Sequence, residues 1–385
     1  MKILIFISNL GIGGVIRQVS YLAPGLKSRG HDVSVLALYE SDRDWEHIWG
    51  RDSGRMTTLL AQKPGNVFSA AGVVELIGAA LKLRRILTKE KVRVLYCVHG
   101  RYARFISWLA VSTVPGAELV WGVRGSIPSG GPGSYSNDSP ISNYINKLIS
   151  RSVPLMIANS EAGLDSQFKE GYRCPKGIVI DNGFDTDKFK PDPGARERQR
   201  KEWNIPGNAA LIGVIARLYE DKGHITFLES CSRLLKERRD VRFVCVGDGE
   251  KAYREKLELL SRELGLDDYM IWAGVKEDIP SALNAVDVLC SPSYSEGFPN
   301  VIGEAMACGV PCVVTDAGDS ARIVGDLGIV VPPEDAAMLA EGLREALKKL
   351  HDFDPSQPRR RIIENFSVDR MVDKTEIALK GVPDG

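Results

Sequence analysis

The chain reads as two α/β domains in tandem, each a doubly wound parallel sheet with helices on both faces. Three observations predict this. At 385 residues the chain exceeds what a single hydrophobic core usually supports. Its strand-like segments are continuously apolar instead of alternating, the pattern of strands buried on both faces. The strand and helix rhythm stops near the middle, at a segment rich in Pro, Gly and charge, and then starts again.

Taken in order, KILIFIS, DVSVLAL, RVLYCV, ELVWGV, LMIANS and IVIDNG are the strands of the first domain, residues 1–187. Amphipathic stretches such as VIRQVSYLAPGLKSRG and AGVVELIGAALKLRRILTKEK lie between them as helices. KFKPDPGARERQRKEWNIPGNA breaks the rhythm and reads as a linker over residues 188–208, about which the domains would open and close. LIGVIAR, RFVCVGDG, MIWAGV, VDVLCSPS, PCVVTDAG and GIVVPP then form the second domain, residues 209–362. A terminal helix over about 363–385 closes that domain or packs back on the first. Two stretches resist assignment: YESDRDWEHIWGRDSGRM, and RGSIPSGGPGSYSNDSP, which reads as a mobile loop from Ser126 to Pro140.

Composition excludes several classes. Hydrophobic residues at 44% and charged residues at 26% are those of a globular chain, and no apolar run is long enough to span a bilayer. The opening MKILIFISNLGIGG has neither a basic leader nor a cleavage site and reads as a buried strand entering a glycine turn, so a cytoplasmic chain is expected. The seven cysteines are scattered and predict reduced core residues; Cys308 and Cys312 have no second pair and no histidine nearby, so no metal is expected. The net charge of zero argues against general nucleic-acid binding. It conceals an asymmetry: residues 1–190 hold 24 Lys and Arg against 16 Asp and Glu, and residues 191–385 hold 26 against 34. A first half at +8 suits an anionic partner, such as a lipid surface at the inner face of a membrane, and equally suits attraction between the two domains.

The sharpest chemical signal is SPSYSEGFPNVIGEAMACGVPCVVTDAG. A helix beginning near Pro299 or Asn300 would present the backbone N–H groups of Phe298 and Asn300, on either side of Pro299, to an anion. Glu304, one turn inside, and Glu296, just before the turn, would repel phosphate and so should bind hydroxyls. In GVIARLYEDKGHITFLESC, Arg217 leaves the end of a strand and Lys222 follows five residues later, at the sheet edge where such folds bind ligands. Their charges would neutralise a diphosphate. The strand ending in Gly247, Asp248 and Gly249 allows close backbone approach. Near the start, Gly11, Gly13 and Gly14 fall short of a dinucleotide fingerprint because Ile16 holds the third glycine position.

The GGVIR turn, NGFDTDKF, IARLYEDKG, VGDGE and the EGFPNVIGEAMACGVP block, in this order and spacing, resemble the retaining glycosyltransferases of family 4, the group 1 transferases with the GT-B fold. That resemblance covers nearly the whole chain and implies two Rossmann-like domains facing across a donor cleft. It implies that Arg217 and Lys222 hold the donor diphosphate, Glu304 the ribose, and Glu296 with the backbone of Phe298, Pro299, Asn300 and Val301 the donor sugar. Gly13 and Gly14 would approach the donor from the first domain, Gly247 would let backbone come near the nucleotide, and Val275 or Lys276 would lie near the base. The family commonly places a histidine after a first-domain strand; here Arg124 holds that position, and His99 in YCVHGRYARF is the nearest substitute. Arg101 and Arg104 are either acceptor contacts or a solvated helix face. The resemblance further implies transfer of a sugar from a nucleotide-sugar donor to a hydroxyl, in glycan, polysaccharide or glycolipid assembly, with no cofactor. A sugar-nucleotide epimerase, a glycan phosphorylase and a non-catalytic membrane-bound scaffold would use the same fold.

Overall fold

The computed structural model describes residues 1–9, 13–39, 57–60, 69–125 and 140–382. Gly11, most of the first unassigned stretch (residues 40–56) and the serine- and glycine-rich loop (residues 126–139) lie outside the described residues. The chain divides into two compact units, Met1–Gly183 with Val368–Gly385, and Phe184–Ser367.

The first unit is a seven-stranded parallel sheet: β1 (Lys2–Asn9), β2 (Asp32–Tyr39), β3 (Thr57–Leu60), β4 (Val94–Cys97), β5 (Glu118–Val123), β6 (Leu155–Ala158) and β7 (Lys176–Val179). Its order is β3-β2-β1-β4-β5-β6-β7. Burial shows why these strands are uniformly apolar. Ile3, Ile5 and Ile7 of β1 pack with Val19, Leu22 and Leu26 of the helix Gly14–Ser28, whereas Leu4 and Phe6 face Leu83, Leu87 and Ile106 on the opposite side. Each strand therefore needs apolar residues at every position. The sequence reading finds six of these strands and misses β3, a four-residue edge strand whose partner is β2.

The second unit is a six-stranded parallel sheet: β8 (Ala210–Ile215), β9 (Val241–Val246), β10 (Met270–Gly274), β11 (Val288–Ser291), β12 (Cys312–Thr315) and β13 (Ile329–Val331), in the order β10-β9-β8-β11-β12-β13. All six are legible in the sequence. Leu211 and Ile215 of β8 join one core layer and Ile212 and Val214 the other. Six of the seven cysteines are buried and all are free.

Residues 188–208 differ from the linker the sequence predicts. They lie inside the second unit and include a helix, Pro193–Glu202. The residues that suggest a break build the helix start: Asp192 accepts from the Ala195 N–H at 2.9 Å, and Pro193 occupies the first turn, where no amide hydrogen is needed. Arg200 anchors the helix on Asp287 at 3.0 Å, and Phe189 and Trp203 enter the core. The chain instead crosses between units after Gly183 and again after Ser367. The terminal segment is accordingly two helices, Ser356–Phe366 in the second unit and Val368–Lys380 in the first. Met371, Val372 and Leu379 of the last helix join the β1 core layer, and Arg29 reaches Asp373 at 2.5 Å.

Candidate functional site

In an open parallel sheet, ligands bind beyond the carboxyl ends of the strands where the strand order reverses. In the second unit that point lies between β8 and β11. The chain leaving β8 carries Arg217 and Lys222, and the chain leaving β11 carries Ser293 and Glu296, so the sheet topology brings the two motifs to one place. Lys222 Nζ donates to Glu296 Oε1 at 2.7 Å, and Ser293 Oγ donates to the same oxygen at 2.8 Å. Lys222 also lies 3.6 Å from Asp221. Burial of the ammonium lowers the Lys222 pKa, but the charges of Glu296 and Asp221 outweigh it and leave the pKa raised. Lys222 is thus held as a cation. Arg217 stacks over the Tyr219 ring at 4.7 Å.

The loops that carry these groups are tied together. The Tyr294 N–H donates to Asp221 O at 2.8 Å, and the Tyr294 hydroxyl meets Thr226 Oγ1 at 2.7 Å. Gly223 sits at φ 68°, and a Cβ there would fall 1.9 Å from Pro292 O. Only glycine lets the Lys222 turn approach the β11 loop this closely. Gly247 answers a similar need: its Cβ would fall 2.0 Å from Ala216 O, so the close approach that this glycine permits is to the chain beside Arg217.

The helix Asn300–Ala307 starts where the sequence places it, with Pro299 at the cap and no side-chain acceptor there. Its N-terminus is positive by the alignment of its peptide dipoles. Phe298 is buried between Phe184 and Phe366, with ring centroids 6.1 and 5.9 Å away, which pins the start of the helix. Glu304 is 4% exposed on the same helix, whose middle residue Gly303 lies against the Phe184 ring. Beneath the Glu296 turn lies Gly318, at φ 57°, whose Cβ would fall 2.4 Å from Glu296 O; the next residue, Asp319, donates its N–H to Gly297 O at 3.0 Å.

Val275 and Lys276 follow β10, two strands from β8. Val275 is exposed, whereas Lys276 hydrogen-bonds Glu202 of the Pro193–Glu202 helix.

In the first unit, Gly13, Gly14, His99 and Arg124 lie beyond the carboxyl ends of β1, β4 and β5. Gly13 is extended, Gly14 begins a helix, and a Cβ on Gly13 would have no neighbour within 4 Å among the described residues. Arg124 donates to the Tyr96 hydroxyl at 2.8 Å and to Asn182 Oδ1 at 3.2 Å, so its fork is partly committed to its own sheet. His99 lies beside it, its Nδ1 enclosed and without a hydrogen-bond partner among the described residues. Burial, then the charges of Arg124 and Arg104, lower its pKa to about 4, which leaves the ring neutral. Arg104 does not lie on a solvated helix face. It is buried against Trp121 and donates to Gly122 O at 2.7 Å. A separate cavity of about 490 Å³ lies between the β2 edge and the helix Ala70–Glu90, lined by Leu36, Thr58, Lys82 and Arg85 among others and by none of the candidate residues.

Sequence reasoning missed Ser293, Gly223, Tyr294 and Gly318. Their roles are contacts between loops distant in sequence. Only Gly223, placed between a short turn and a helix, carries a local signal.

This architecture, two all-parallel doubly wound sheets in one chain, is that of the GT-B proteins. The chain belongs to glycosyltransferase family 4: residues 12–188 match Glycosyltransferase Family 4 and residues 209–349 match Glycosyl transferases group 1. It is 29% identical over 212 residues to the UDP-Gal:alpha-D-GlcNAc-diphosphoundecaprenol alpha-1,3-galactosyltransferase of Escherichia coli, covering 54% of each chain. It is 24% identical over 344 residues to the lipopolysaccharide core biosynthesis mannosyltransferase LpsB of Rhizobium meliloti, covering 86% of this chain and 82% of that protein. The chain thus matches about half the length of the first of these relatives and most of the second. The fold is shared with Anabaena HepE, solved in complex with UDP and glucose, at a TM-score of 0.82 and 23% identity over 99% of both chains.

Proposed function

We propose that this chain is a retaining hexosyltransferase that moves a sugar from a nucleoside diphosphate sugar to a hydroxyl of a lipid-linked or polysaccharide acceptor at a membrane surface. The observation that carries the reading is the Lys222 and Glu296 pair, 2.7 Å apart at the strand-order reversal of the second sheet, beside the N-terminus of the helix Asn300–Ala307. A cation and a helix N-terminus suit a diphosphate; carboxylates beside them suit sugar hydroxyls. The relatives named above are transferases, which favours transfer over epimerisation, phosphorolysis or a scaffold role.

In this reading Arg217, Lys222 and the positive N-terminus of the helix Asn300–Ala307 hold the diphosphate. Glu304 grips the ribose, Glu296 holds the sugar, and Val275 or the Lys276 backbone lies near the base. Gly13, Gly14, Arg124 and His99 act from the first unit, with neutral His99 available to accept a proton or a hydrogen bond. The bond from the anomeric carbon to phosphate oxygen breaks and its electron pair leaves with the diphosphate. The acceptor oxygen forms the new bond on the same face, and its proton passes to the departing phosphate. Positive charge already in place stabilises the growing negative charge. Neither a metal nor a cofactor is needed in this scheme, because cationic side chains do the neutralising.

The test is thermal shift against UDP, GDP, ADP and CMP, then product analysis with the matching sugar. Stabilisation by one nucleoside diphosphate and an α-linked product from an α-linked donor support the reading. An inverted product refutes retention, and turnover that needs an added divalent cation refutes the metal-free scheme.

A further inference from the structure

Phe184 and Phe366 pin the ring of Phe298 at the start of the helix Asn300–Ala307, and a charge pair that the donor scheme does not use completes their enclosure. Arg322, in the short helix Ser320–Val324, sets its guanidinium over the Phe298 ring at 5.7 Å and over the Phe366 ring at 5.8 Å. A guanidinium is attracted to aromatic faces and, being planar, can lie flat on them. Its Nε and Nη2 both donate to Oδ2 of Asp319, at 3.0 and 2.6 Å, which fixes the direction of the fork. Asp319 is 4% exposed, and a carboxylate so buried needs a partner. The same residue grips the donor turn through its backbone, its N–H donating to Gly297 O at 3.0 Å. Residue 319 thus ties the Glu296–Gly297 backbone with its main chain, while its side chain aims Arg322 at the ring next to the Pro299 cap. The pair is itself anchored. Arg361, on the helix Ser356–Phe366, donates to Arg322 O at 2.7 Å and to Ile323 O at 2.8 Å. An apolar side chain at 322 would cover the two rings equally well, but it would not link them to the residue that holds the Glu296 turn.

We propose that Asp319 and Arg322 are positioning residues, which hold the Glu296–Phe298 turn and the N-terminus of the helix Asn300–Ala307 in the geometry that receives the donor diphosphate. The inference rests on the proposed function, in which that N-terminus meets the diphosphate, and assigns to the pair a part in donor binding. A loosened turn leaves Arg217 and Lys222 on their own loop but misdirects the helix N-terminus and Glu296, so the pair governs affinity for the donor more than the rate of the chemical step.

The experiment compares three variants of the full chain. Asp319→Asn keeps an oxygen for Arg322 to bind. Arg322→Lys keeps the charge and loses the planar fork. Asp319→Asn combined with Arg322→Met removes both charges, keeps cover over the rings and leaves no buried carboxylate unpaired. Two readouts are taken: hydrogen exchange of the Glu296–Val301 amides without ligand, with strand β8 as the internal reference, and donor KM and kcat with the sugar of whichever of UDP, GDP, ADP and CMP stabilises the wild type. Arg322→Lys and the double variant should speed exchange of the turn and not of β8, and raise the donor KM about tenfold, with kcat within about threefold of wild type. Asp319→Asn should stay within about twofold of wild type in both readouts. Faster exchange of the turn with wild-type KM would make the pair merely structural and overturn the proposal. A raised KM with unchanged exchange, or a loss of kcat at constant KM, would overturn it as well. Should the double variant unfold at the assay temperature, Arg322→Lys decides by the same criteria. If none of the four nucleotides stabilises the wild type, the proposed function fails, and the exchange of the turn alone decides whether the pair holds it.

Discussion

Lys222→Ala tests stability and chemistry together. Lys222 and Glu296 are 17 and 16% exposed and 2.7 Å apart, a geometry between a solvated surface pair and a fully buried one. A surface pair contributes about 0–1 kcal/mol and breaking a buried one costs about 3–5 kcal/mol. Ser293 still donates to Glu296 after the lysine is removed, so the loss should be about 1–2 kcal/mol, or roughly 3–6 °C in the unfolding temperature of the second unit. Turnover should fall further, about 100-fold or more, because the lysine faces charge that grows as the glycosidic bond breaks. The assay is a double-mutant cycle with Glu296→Gln, read by thermal unfolding without ligand and by kcat and KM with donor. The pH dependence has a definite sign. The pKa of Lys222 is raised above its ordinary value of 10.5. The pair's contribution is therefore fully present below about pH 10.5 and is lost as the pH rises through the higher folded value. Additive single and double variants, within about 0.5 kcal/mol, would refute the coupling. A change in KM with kcat intact would refute the transition-state role.

Three further outcomes are expected. Glu304→Ala should weaken donor binding by about 2–3 kcal/mol, measured by calorimetry, and affinity within twofold of wild type would exclude a ribose contact. Gly318→Ala, which removes no functional group, should raise the donor KM and lower the unfolding temperature, because its Cβ would fall 2.4 Å from Glu296 O; wild-type kinetics would show that the Glu296 turn tolerates displacement. His224 is buried and its pKa is lowered to about 4, by burial first and then by Lys222 against the opposing effects of the Tyr219 backbone and Asp221. The unfolded chain takes up that proton near pH 6.5 and the folded chain does not. Stability should therefore decline by about 3 kcal/mol between pH 6.5 and 4, and His224→Gln should flatten that slope in denaturant titrations; an unchanged slope would show that other groups govern it.

Sequence by itself determined the strands, because a strand buried on both faces must be apolar at every residue, and that demand is written locally in KILIFISN and ALIGVI. It also determined the start of the helix at Asn300 and the residue types at Arg217, Lys222, Glu296 and Glu304, which are local in their motifs. It could not separate a linker from a helix at residues 188–208, since proline, glycine and charge serve both; the choice rests on Asp287, Phe189 and Trp203. Nor could it place β3, which is too short to carry a period. Only tertiary structure decided that Arg104 is buried, that the last helix joins the first unit, and that one oxygen of Glu296 receives both Lys222 and Ser293. Those facts depend on which strands are neighbours, and strand order is a property of the whole sheet that no window of the chain contains.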